Sequence, residues 1–208
     1  MSSEVIVVGG GAIGLTTAVT LAESGTPVRV WSREQVDATT SAVAGALWWP
    51  YRIEPAERVG AWSLASLRVY EHLARSPDET GVRLVEGVMT GTALAGLGPW
   101  AADVPGLRED PYGLVLGGTA QEDNWDTDPD PAVARAIVER CSRVRPEVAG
   151  AGILEHRVGL RPARAGGVRP AAERLPSGAL CVHNYGHGGA GVTVAWGCAR
   201  DAARLVAG

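Results

Sequence analysis

The feature that most constrains the fold is a glycine-rich turn early in the sequence, Gly9-Gly10-Gly11-Ala12-Ile13-Gly14. An apolar run from Val5 to Val8, typical of a buried strand, precedes this turn, and a stretch with helical periodicity follows it. In this spacing Gly9 permits a tight turn, Gly11 allows close approach to the backbone, and Gly14 lets the helix pack on the strand. The pattern therefore predicts binding of a dinucleotide by its pyrophosphate.

The following residues extend this turn into the beginning of a parallel sheet. We expect a helix from Ala12 to about Glu23, a stop at Gly25, and a second strand over Val28-Arg29-Val30-Trp31. Strand, turn, helix and strand in this order indicate an α/β fold that contains a Rossmann-like parallel sheet.

Two charged residues come directly after the second predicted strand. Glu34 lies twenty residues beyond Gly14, about where a carboxylate that accepts the ribose hydroxyls is expected. Arg33 could instead meet the adenosine phosphate or its ring. The alternative for Arg33 and Glu34 is an ordinary solvated charge pair at a strand end.

A second glycine-rich segment, Gly186-His187-Gly188-Gly189-Ala190-Gly191, lies near the other end of the sequence. It offers bare backbone against which a flat ring could lie, and a helix is predicted from about Thr193 to Val206. We predict that the two glycine segments converge in space on opposite portions of one dinucleotide.

Further elements are predicted from periodicity and from turn residues. They are helices over 55–74 and from Asp130-Pro131 to Pro146, and strands at 82–89, 114–116, 153–160 and 179–183.

Composition excludes several classes of protein. A net charge of −4, a pI near 5.6 and scattered arginines argue against nucleic-acid binding and favour a small-molecule ligand. Three cysteines without metal-ligand spacing argue against a metal site and a disulfide framework, so reduced thiols in the cytoplasm are expected. Since no apolar run is long enough to cross a bilayer, we expect no membrane association.

A third segment, Thr39-Thr40-Ser41 followed by small residues and Trp48-Trp49-Pro50-Tyr51, completes a resemblance to a known family. In this order, the three segments resemble the D-amino-acid oxidases of the glutathione-reductase-like flavoprotein group. The C-terminal segment from Val182 to Thr193 is specific for that family. Four further segments also resemble that family: Trp196-Gly197-Cys198-Ala199, Arg157-Val158-Gly159-Leu160-Arg161-Pro162, Leu116-Gly117-Gly118 and Asn124-Trp125.

The resemblance implies FAD as the cofactor and assigns positions in this sequence to its binding. Helix 193–206 would point its positive end at the flavin pyrimidine and stabilise the negative charge that develops there on reduction. The implied FAD contacts are Gly9, Gly11, Ala12, Ile13, Gly14, Arg33, Glu34, Thr39, Thr40, Ser41, Gly45, Ala46, Leu47, Gly188, Gly191, Val192 and Thr193.

The resemblance also implies a substrate site. Arg161 matches the arginine that pairs with the substrate carboxylate, Gly189 matches the position whose carbonyl accepts from the substrate amine, and Tyr51 matches a wall residue. A structural ion pair for Arg161 and a core position for Tyr51 are the alternatives. His183 and His187 are expected to be structural rather than catalytic bases.

The implied reaction moves a hydride from the α-carbon of a D-amino acid to flavin N5. The products are an imino acid, which water converts to a 2-oxo acid and ammonia, and hydrogen peroxide formed from oxygen.

Compared with that family, the sequence lacks an internal segment at about residues 110–113. We expect residues 1–75 and 150–208 to form a discontinuous FAD-binding domain, and residues 76–149 a reduced antiparallel substrate-side domain. Loss of sheet strands predicts dimerisation or low stability. The alternatives to a working oxidase are a catalytically silent flavin-binding remnant and an NAD-dependent dehydrogenase, because the first turn serves either cofactor.

Overall fold

The computed structural model describes residues 4–50, 52–85, 96–105, 107 and 121–208, with only the backbone at 144. The chain divides into two compact units. The first comprises the residues up to Arg83 and those from Arg161 onward, and the second runs from Leu84 to Leu160.

The described part of the chain contains helices, two small sheets and several short 3-10 turns. The strands are β1 (Val5–Val8), β2 (Val28–Trp31), β3 (Arg169–Arg174) and β4 (Leu180–Tyr185). The α-helices are α1 (Ala12–Glu23), α2 (Thr40–Val43), α3 (Ala56–Leu73), α4 (Pro77–Thr80), α5 (Pro131–Val144) and α6 (Gly191–Ala207). The 3-10 helices are Val36–Ala38, Pro99–Asp103, Pro146–Gly150 and Gly188–Ala190.

The N-terminal strand-turn-helix-strand pattern forms as predicted. Strands β1 and β2 pair in parallel, from Val5 opposite Val28 to Val8 opposite Trp31. Helix α1 joins them and ends before Gly25, which has a φ of +82° and donates its N–H to the Ala22 carbonyl. The fold is therefore α/β, as predicted.

The core of the first unit forms where α6 packs against α1 and α3. Small residues let these helices come close together, and a Cβ built on Gly197 of α6 would overlap the backbone of Trp62 of α3. The predicted helix over 55–74 is confirmed as α3, and it buries Val59, Trp62 and Ser66. The inward face of α6 consists of Thr193, Val194, Ala195, Gly197, Cys198, Ala199 and Ala202.

The other sheet of the first unit is an antiparallel hairpin. Strands β3 and β4 pair from Arg169 opposite Tyr185 to Arg174 opposite Leu180. Strand β4 confirms the strand predicted at 179–183, whereas β3 was not predicted. This antiparallel pair lies outside residues 76–149, where the sequence placed the antiparallel region.

The second unit carries α5, which begins as predicted. Asp130 caps the helix, because its side chain accepts from the N–H of Ala132 at 2.7 Å and from that of Val133 at 3.4 Å. The prediction of a strand at 153–160 is wrong. These residues are almost all exposed coil, and within the described ranges no strand pairs with them, so they lack the hydrogen-bonded ladder a strand needs.

Two other predicted strands fall largely outside the described residues. Of the strand predicted at 82–89, residues 82–85 are coil and the remainder is not described. The strand predicted at 114–116 also lies outside the described residues. Among the helices that are described, we find none with the length and apolar character needed to span a bilayer.

Candidate functional site

The first glycine turn has the geometry that its spacing predicts. Gly9 has a φ of +122°, a conformation that residues with a side chain rarely adopt. A Cβ built on Gly14 would overlap the carbonyl oxygen of Gly9, so only glycine lets α1 come this close to the turn. The turn therefore brings the first N–H groups of α1 to the carboxyl end of β1.

The N-terminus of α1 carries no acidic residue in its first turn, and its N-cap residue, Gly11, supplies no side-chain hydrogen bond. The partial positive charge of this helix end is thus open to an anion. Ser41 lies at the same place, since its Oγ accepts from the Ala12 N–H at 2.9 Å. A Cβ on Gly11 would approach that Oγ to 2.9 Å. Of the predicted phosphate contacts, Ser41 is thus beside the turn.

The end of β2 lies beside the same turn. The Gly9 N–H donates to the Trp31 carbonyl at 2.7 Å, which places the residues that follow β2 next to the glycines. Arg33 and Glu34 form an ion pair there, and the hydrogen bond and charge of Glu34 raise the pKa of Arg33. The Arg33 side chain is exposed and that of Glu34 is half-exposed, so both can reach a bound ligand.

The second glycine segment meets the first. A Cβ on Gly191 would lie 3.9 Å from the Ile13 side chain, so the first residues of α6 contact the first residues of α1. Two hydrogen bonds extend this contact: Asn184 Nδ2 donates to Thr17 Oγ1 at 3.1 Å, and Thr16 Oγ1 donates to the Ala195 carbonyl at 3.5 Å. The predicted convergence of the two glycine segments is therefore present in the structure.

The N-terminus of α6 resembles that of α1 in its electrostatics. Its N-cap residue provides no side-chain hydrogen bond, and no acidic residue lies in its first turn. Val192 and Thr193 of this turn are held from two sides. Tyr70 donates to the Val192 carbonyl at 2.7 Å, and burial raises the pKa of Tyr70 to about 12, so its hydroxyl stays protonated.

Thr193 joins α6 to the third predicted segment. Its buried hydroxyl accepts from the Trp49 N–H at 3.1 Å and donates to the Trp49 carbonyl at 2.9 Å. Trp48 is anchored on α3, since its ring N–H donates to the Ser63 carbonyl at 2.9 Å. The segment that begins at Thr39 is therefore fixed at one end beside α1 through Ser41 and at the other beside α6.

The remaining predicted contacts within this segment differ in accessibility. Thr39 is buried and donates to the Val36 carbonyl at 2.7 Å, so its hydroxyl is used within the protein. Thr40, Gly45, Ala46 and Leu47 are exposed, and Ala46 has a φ of +53°. The exposed backbone from Gly45 to Leu47 is accessible to a ligand.

Arg161 and Gly189 lie together, as the substrate-site prediction requires. The Ala163–His187 bridge and a hydrogen bond of 3.1 Å from the Gly188 N–H to the Pro162 carbonyl hold the two segments side by side. Arg161 Nη1 donates to the Gly189 carbonyl at 3.5 Å. A cationic donor and a neutral acceptor are thus adjacent. Tyr51, the third predicted substrate contact, lies outside the described residues.

The two histidines of the second segment have separate environments. His187 is 2% exposed, and burial lowers its pKa to about 4, so it is neutral at physiological pH. Among the described residues no group hydrogen-bonds to its Nε2. His183 Nε2 lies 2.7 Å from Glu173 Oε1 on the hairpin.

Some groups that position the site were not found from the sequence. Asn184 links β4 to α1, and Tyr70 holds the first turn of α6. Ser66 Oγ accepts from the N–H groups of Trp196 and Gly197, at 3.1 and 3.2 Å. Periodicity predicted the helix that carries Ser66 and Tyr70, but nothing in the sequence pointed to their partners more than a hundred residues away.

Comparison with known proteins identifies the family. A family model described as FAD dependent oxidoreductase matches residues 4–110 and 102–205. A D-amino-acid oxidase from Streptomyces coelicolor is 43% identical over 97% of this chain and 96% of its own length. One from Rubrobacter xylanophilus is 36% identical over 98% of this chain and 95% of its own. Human D-aspartate oxidase is 44% identical over 45% of this chain.

These comparisons confirm the predicted internal gap. The alignments to the two bacterial enzymes run over 308 and 313 positions, far more than the 208 residues of this chain, so both contain long gaps. The family model matches in two pieces that meet at residues 102–110, close to the predicted junction. Matches on both sides of that gap show that the chain belongs to the family of FAD-dependent oxidoreductases that contains the D-amino-acid oxidases.

Proposed function

We propose that this chain is a D-amino-acid oxidase that works with a shortened substrate side. The observation that carries the proposal is the adjacency of Arg161 and the Gly189 carbonyl beside two converging glycine turns. Two relatives named as D-amino-acid oxidases align with nearly the whole chain and support the same activity. Family membership favours FAD over the nicotinamide alternative.

The residues present fit FAD. Two helix N-termini meet whose first turns carry no acidic residue and whose N-cap residues supply no side-chain hydrogen bond, and the space between turn and helix at Gly14 would be filled by any Cβ. We assign the pyrophosphate to the turn from Gly9 to Gly14 with Ser41, the ribose to Glu34, and the ring system to the first turn of α6. FAD bound there would supply the acceptor for the substrate hydride, and its reoxidation by oxygen would give hydrogen peroxide.

Arg161 and Gly189 hold the two polar ends of the substrate. An α-amino acid carries its carboxylate and its amine on the same α-carbon, so it needs a cationic donor and a neutral acceptor side by side. The present hydrogen bond between Arg161 and the Gly189 carbonyl is at the limit of 3.5 Å and is weak. A bound substrate replaces it with a paired contact from the guanidinium to the carboxylate, which is stronger, and a bond from the amine to the carbonyl.

These two contacts, together with the side on which the flavin would lie, select one enantiomer. With carboxylate and amine fixed and the position of the α-carbon restricted by the flavin as a third contact, the α-hydrogen of only one enantiomer would point towards the flavin, so orientation rather than a side-chain base accounts for the selectivity. No described group hydrogen-bonds to Nε2 of the neutral, buried His187, and we assign this side chain a packing role.

Replacement of Arg161 tests this assignment. We expect Arg161→Ala to lower kcat/KM for peroxide release from D-amino acids by about 100-fold or more, since a charged hydrogen-bonded contact is lost. The variant should keep its yellow colour, because Arg161 is not among the FAD contacts. Arg174→Ala is the matched control, since Arg174 also donates to a glycine carbonyl, that of Gly178 at 2.9 Å, but in the hairpin turn. Equal turnover in Arg161→Ala and Arg174→Ala would refute the role of Arg161.

A catalytically silent flavin-binding protein is the second candidate, and one observation favours it. Strands β1 and β2 pair only with each other among the described residues, and their apolar side chains are exposed at Ile6, Val8, Val30 and Trp31. A yellow preparation that releases no peroxide with any member of a D-amino-acid panel would select this candidate. L-amino acids are the control for stereospecificity, and a colourless preparation that takes up no added FAD would exclude both candidates.

The remaining assignments are proposals of the same kind. We assign FAD binding to residues 1–75 and 150–208, and what remains of the substrate side to residues 76–149. We further propose Tyr51 as a wall residue of the substrate site, a Rossmann-like arrangement for the β1–β2 sheet, and a cytoplasmic location. The tests are limited proteolysis for the boundaries, Tyr51→Phe kinetics for the wall residue, and cell fractionation for the location.

A further inference from the structure

The hairpin formed by β3 and β4 brings three potential metal ligands together. Glu173 lies directly opposite Cys181 in the strand register, and His183 follows two residues later on β4. Because alternate residues of a strand point to the same face and opposed residues share a face, these three side chains project from one side of the hairpin. One donor atom from each residue lies within 4.8 Å of the other two.

We propose that Glu173, Cys181 and His183 bind a divalent transition-metal ion, and that Zn²⁺ is the ion that fits them best. A thiolate, an imidazole nitrogen and a carboxylate oxygen are the three ligand types that Zn²⁺ takes from proteins, whereas Mg²⁺ and Ca²⁺ prefer oxygen alone. This proposal goes beyond the oxidase activity and does not depend on it.

The distances suit a small tetrahedral ion. With usual zinc–ligand bond lengths, tetrahedral geometry separates sulfur and nitrogen by about 3.6 Å and nitrogen and oxygen by about 3.4 Å. Cys181 Sγ lies 3.9 Å from His183 Nε2, within a few tenths of an ångström of that value. Glu173 Oε1 lies 2.7 Å from the same nitrogen and must move out by about 0.7 Å. Rotation of the Glu173 side chain, which is 47% exposed, provides that movement.

Neighbouring residues orient two of the ligands. Arg169 Nη2 donates to Glu173 Oε2 at 3.3 Å, which leaves Oε1 for the ion. The Tyr185 ring meets the His183 ring edge-on, with the centroids 5.7 Å apart, and the Tyr185 hydroxyl accepts from Arg169 at 3.1 Å. Hydrogen-bonded carboxylates and oriented imidazoles of this kind are usual around protein metal sites.

The two anionic ligands at this face match the charge of a dication. The carboxylate of Glu173 and the thiolate that Cys181 forms on binding contribute two negative charges, and binding releases the thiol proton. Arg169 contributes one positive charge, which weakens cation binding but does not cancel the two anionic ligands. Since Glu173 is half-exposed, water from the solvent completes the coordination of the ion.

Binding of the ion would link β3 to β4 directly before the second glycine segment. Strand β4 ends at Tyr185, and Gly186 follows it. A ligand that binds only the folded hairpin stabilises the folded state by mass action, so the thermal midpoint should rise with Zn²⁺ concentration.

The test uses the flavin-loaded protein after treatment with a chelator. Zn²⁺ is titrated in competition with a chromogenic chelator, and we expect saturable binding of one ion per chain. Co²⁺ is the spectroscopic probe, because tetrahedral Co²⁺ gives d–d bands at wavelengths longer than those of the flavin. We expect Cys181→Ala and Glu173→Gln each to weaken Zn²⁺ binding by at least about tenfold. Both should also abolish the tetrahedral cobalt spectrum.

Two matched variants control for adventitious binding. Cys141→Ala removes a different cysteine and His156→Asn an exposed histidine, and both should bind Zn²⁺ like the parent protein. Glu173→Gln keeps the shape of the side chain, so its circular dichroism separates loss of the ion from loss of the fold. The proposal is overturned if no saturable Zn²⁺ binding occurs, if Co²⁺ stays octahedral, or if Cys181→Ala binds Zn²⁺ like the parent.

Discussion

Two parts of the first unit differ sharply in how far their apolar side chains are buried. On the inward face of α6, Val194, Ala195 and Cys198 are 0% exposed against the neighbouring helices. On the β1–β2 sheet, by contrast, Val8 is 81% and Trp31 55% exposed, although both are large apolar residues in strands. Parallel sheets normally have both faces covered. The helices that carry the two glycine turns are therefore well packed, while the sheet beside them is not.

This difference in burial agrees with the position of the gap in the alignments to the relatives. The matched residues include both glycine turns and α6 as far as residue 205, and the gap falls between the two turns in the chain. We infer that the missing segment supplied cover for the sheet and not the contacts between α1 and α6.

The largest effect is expected at the contact between α6 and α3. Gly197→Val places a side chain where even a Cβ would overlap the backbone of Trp62, and backbone cannot move aside as a flexible side chain can. We expect a loss of at least about 4 kcal/mol in the free energy of unfolding, measured by urea denaturation. Gly152→Ala is the control, since a Cβ there meets no atom within 4 Å. A Gly197→Val protein as stable as the Gly152→Ala protein would show that α6 does not carry the core.

The next effect is a pH dependence in the same packed region. Burial lowers the pKa of His187 from 6.5 to about 4, so the unfolded chain binds a proton more readily than the folded protein between these pH values. The contribution of His187 to stability is therefore fully present above pH 6.5 and is lost as the pH drops towards 4. This one group should cost about 3 kcal/mol over that interval.

Urea denaturation across this pH interval measures the effect. His187→Gln should lose stability less steeply with falling pH than the parent, because the glutamine side chain does not titrate there. His156→Gln replaces an exposed histidine and should keep the parent slope. A parent slope in the His187→Gln protein would mean that His187 is not buried in solution.

Local sequence patterns predicted the elements that local interactions determine. Helix α1 and strand β2 begin and end where the glycine spacing and Gly25 place them, and α3 follows from apolar periodicity. Strand β3 was missed because Arg169-Pro170-Ala171-Ala172-Glu173-Arg174 carries few strand-forming residues. It forms because β4 pairs with it, and local residue preferences do not reveal this pairing. The strand predicted at 153–160 failed for the opposite reason, since a suitable pattern found no described partner.

In the candidate site, too, some features were predicted from the sequence and others were not. Glycine spacing predicted the turn at Gly9 and Gly14, and the resemblance predicted that Arg161 and Gly189 belong together. The three cysteines show no metal-ligand spacing, so the sequence argued against a metal site. The ligands that we propose come from both strands of the hairpin, and only the register brings Glu173 to Cys181. The signal available in the sequence was the alternation of Cys181 and His183 on one strand face.

The smallest effect is expected on the uncovered sheet, where Trp31 and Trp62 offer a direct comparison. Trp62 is 3% exposed and its removal should be costly, whereas Trp31→Ala should change the free energy of unfolding by no more than about 0.5 kcal/mol. The Trp31 carbonyl still accepts from the Gly9 N–H in this variant, so the turn is preserved. Sedimentation at several concentrations accompanies the denaturation. A loss of about 2 kcal/mol or more in the free energy of unfolding, together with dissociation of a dimer, would show that a second copy covers this face. In that case the missing segment would be compensated by dimerisation, and the chain would not simply have low stability.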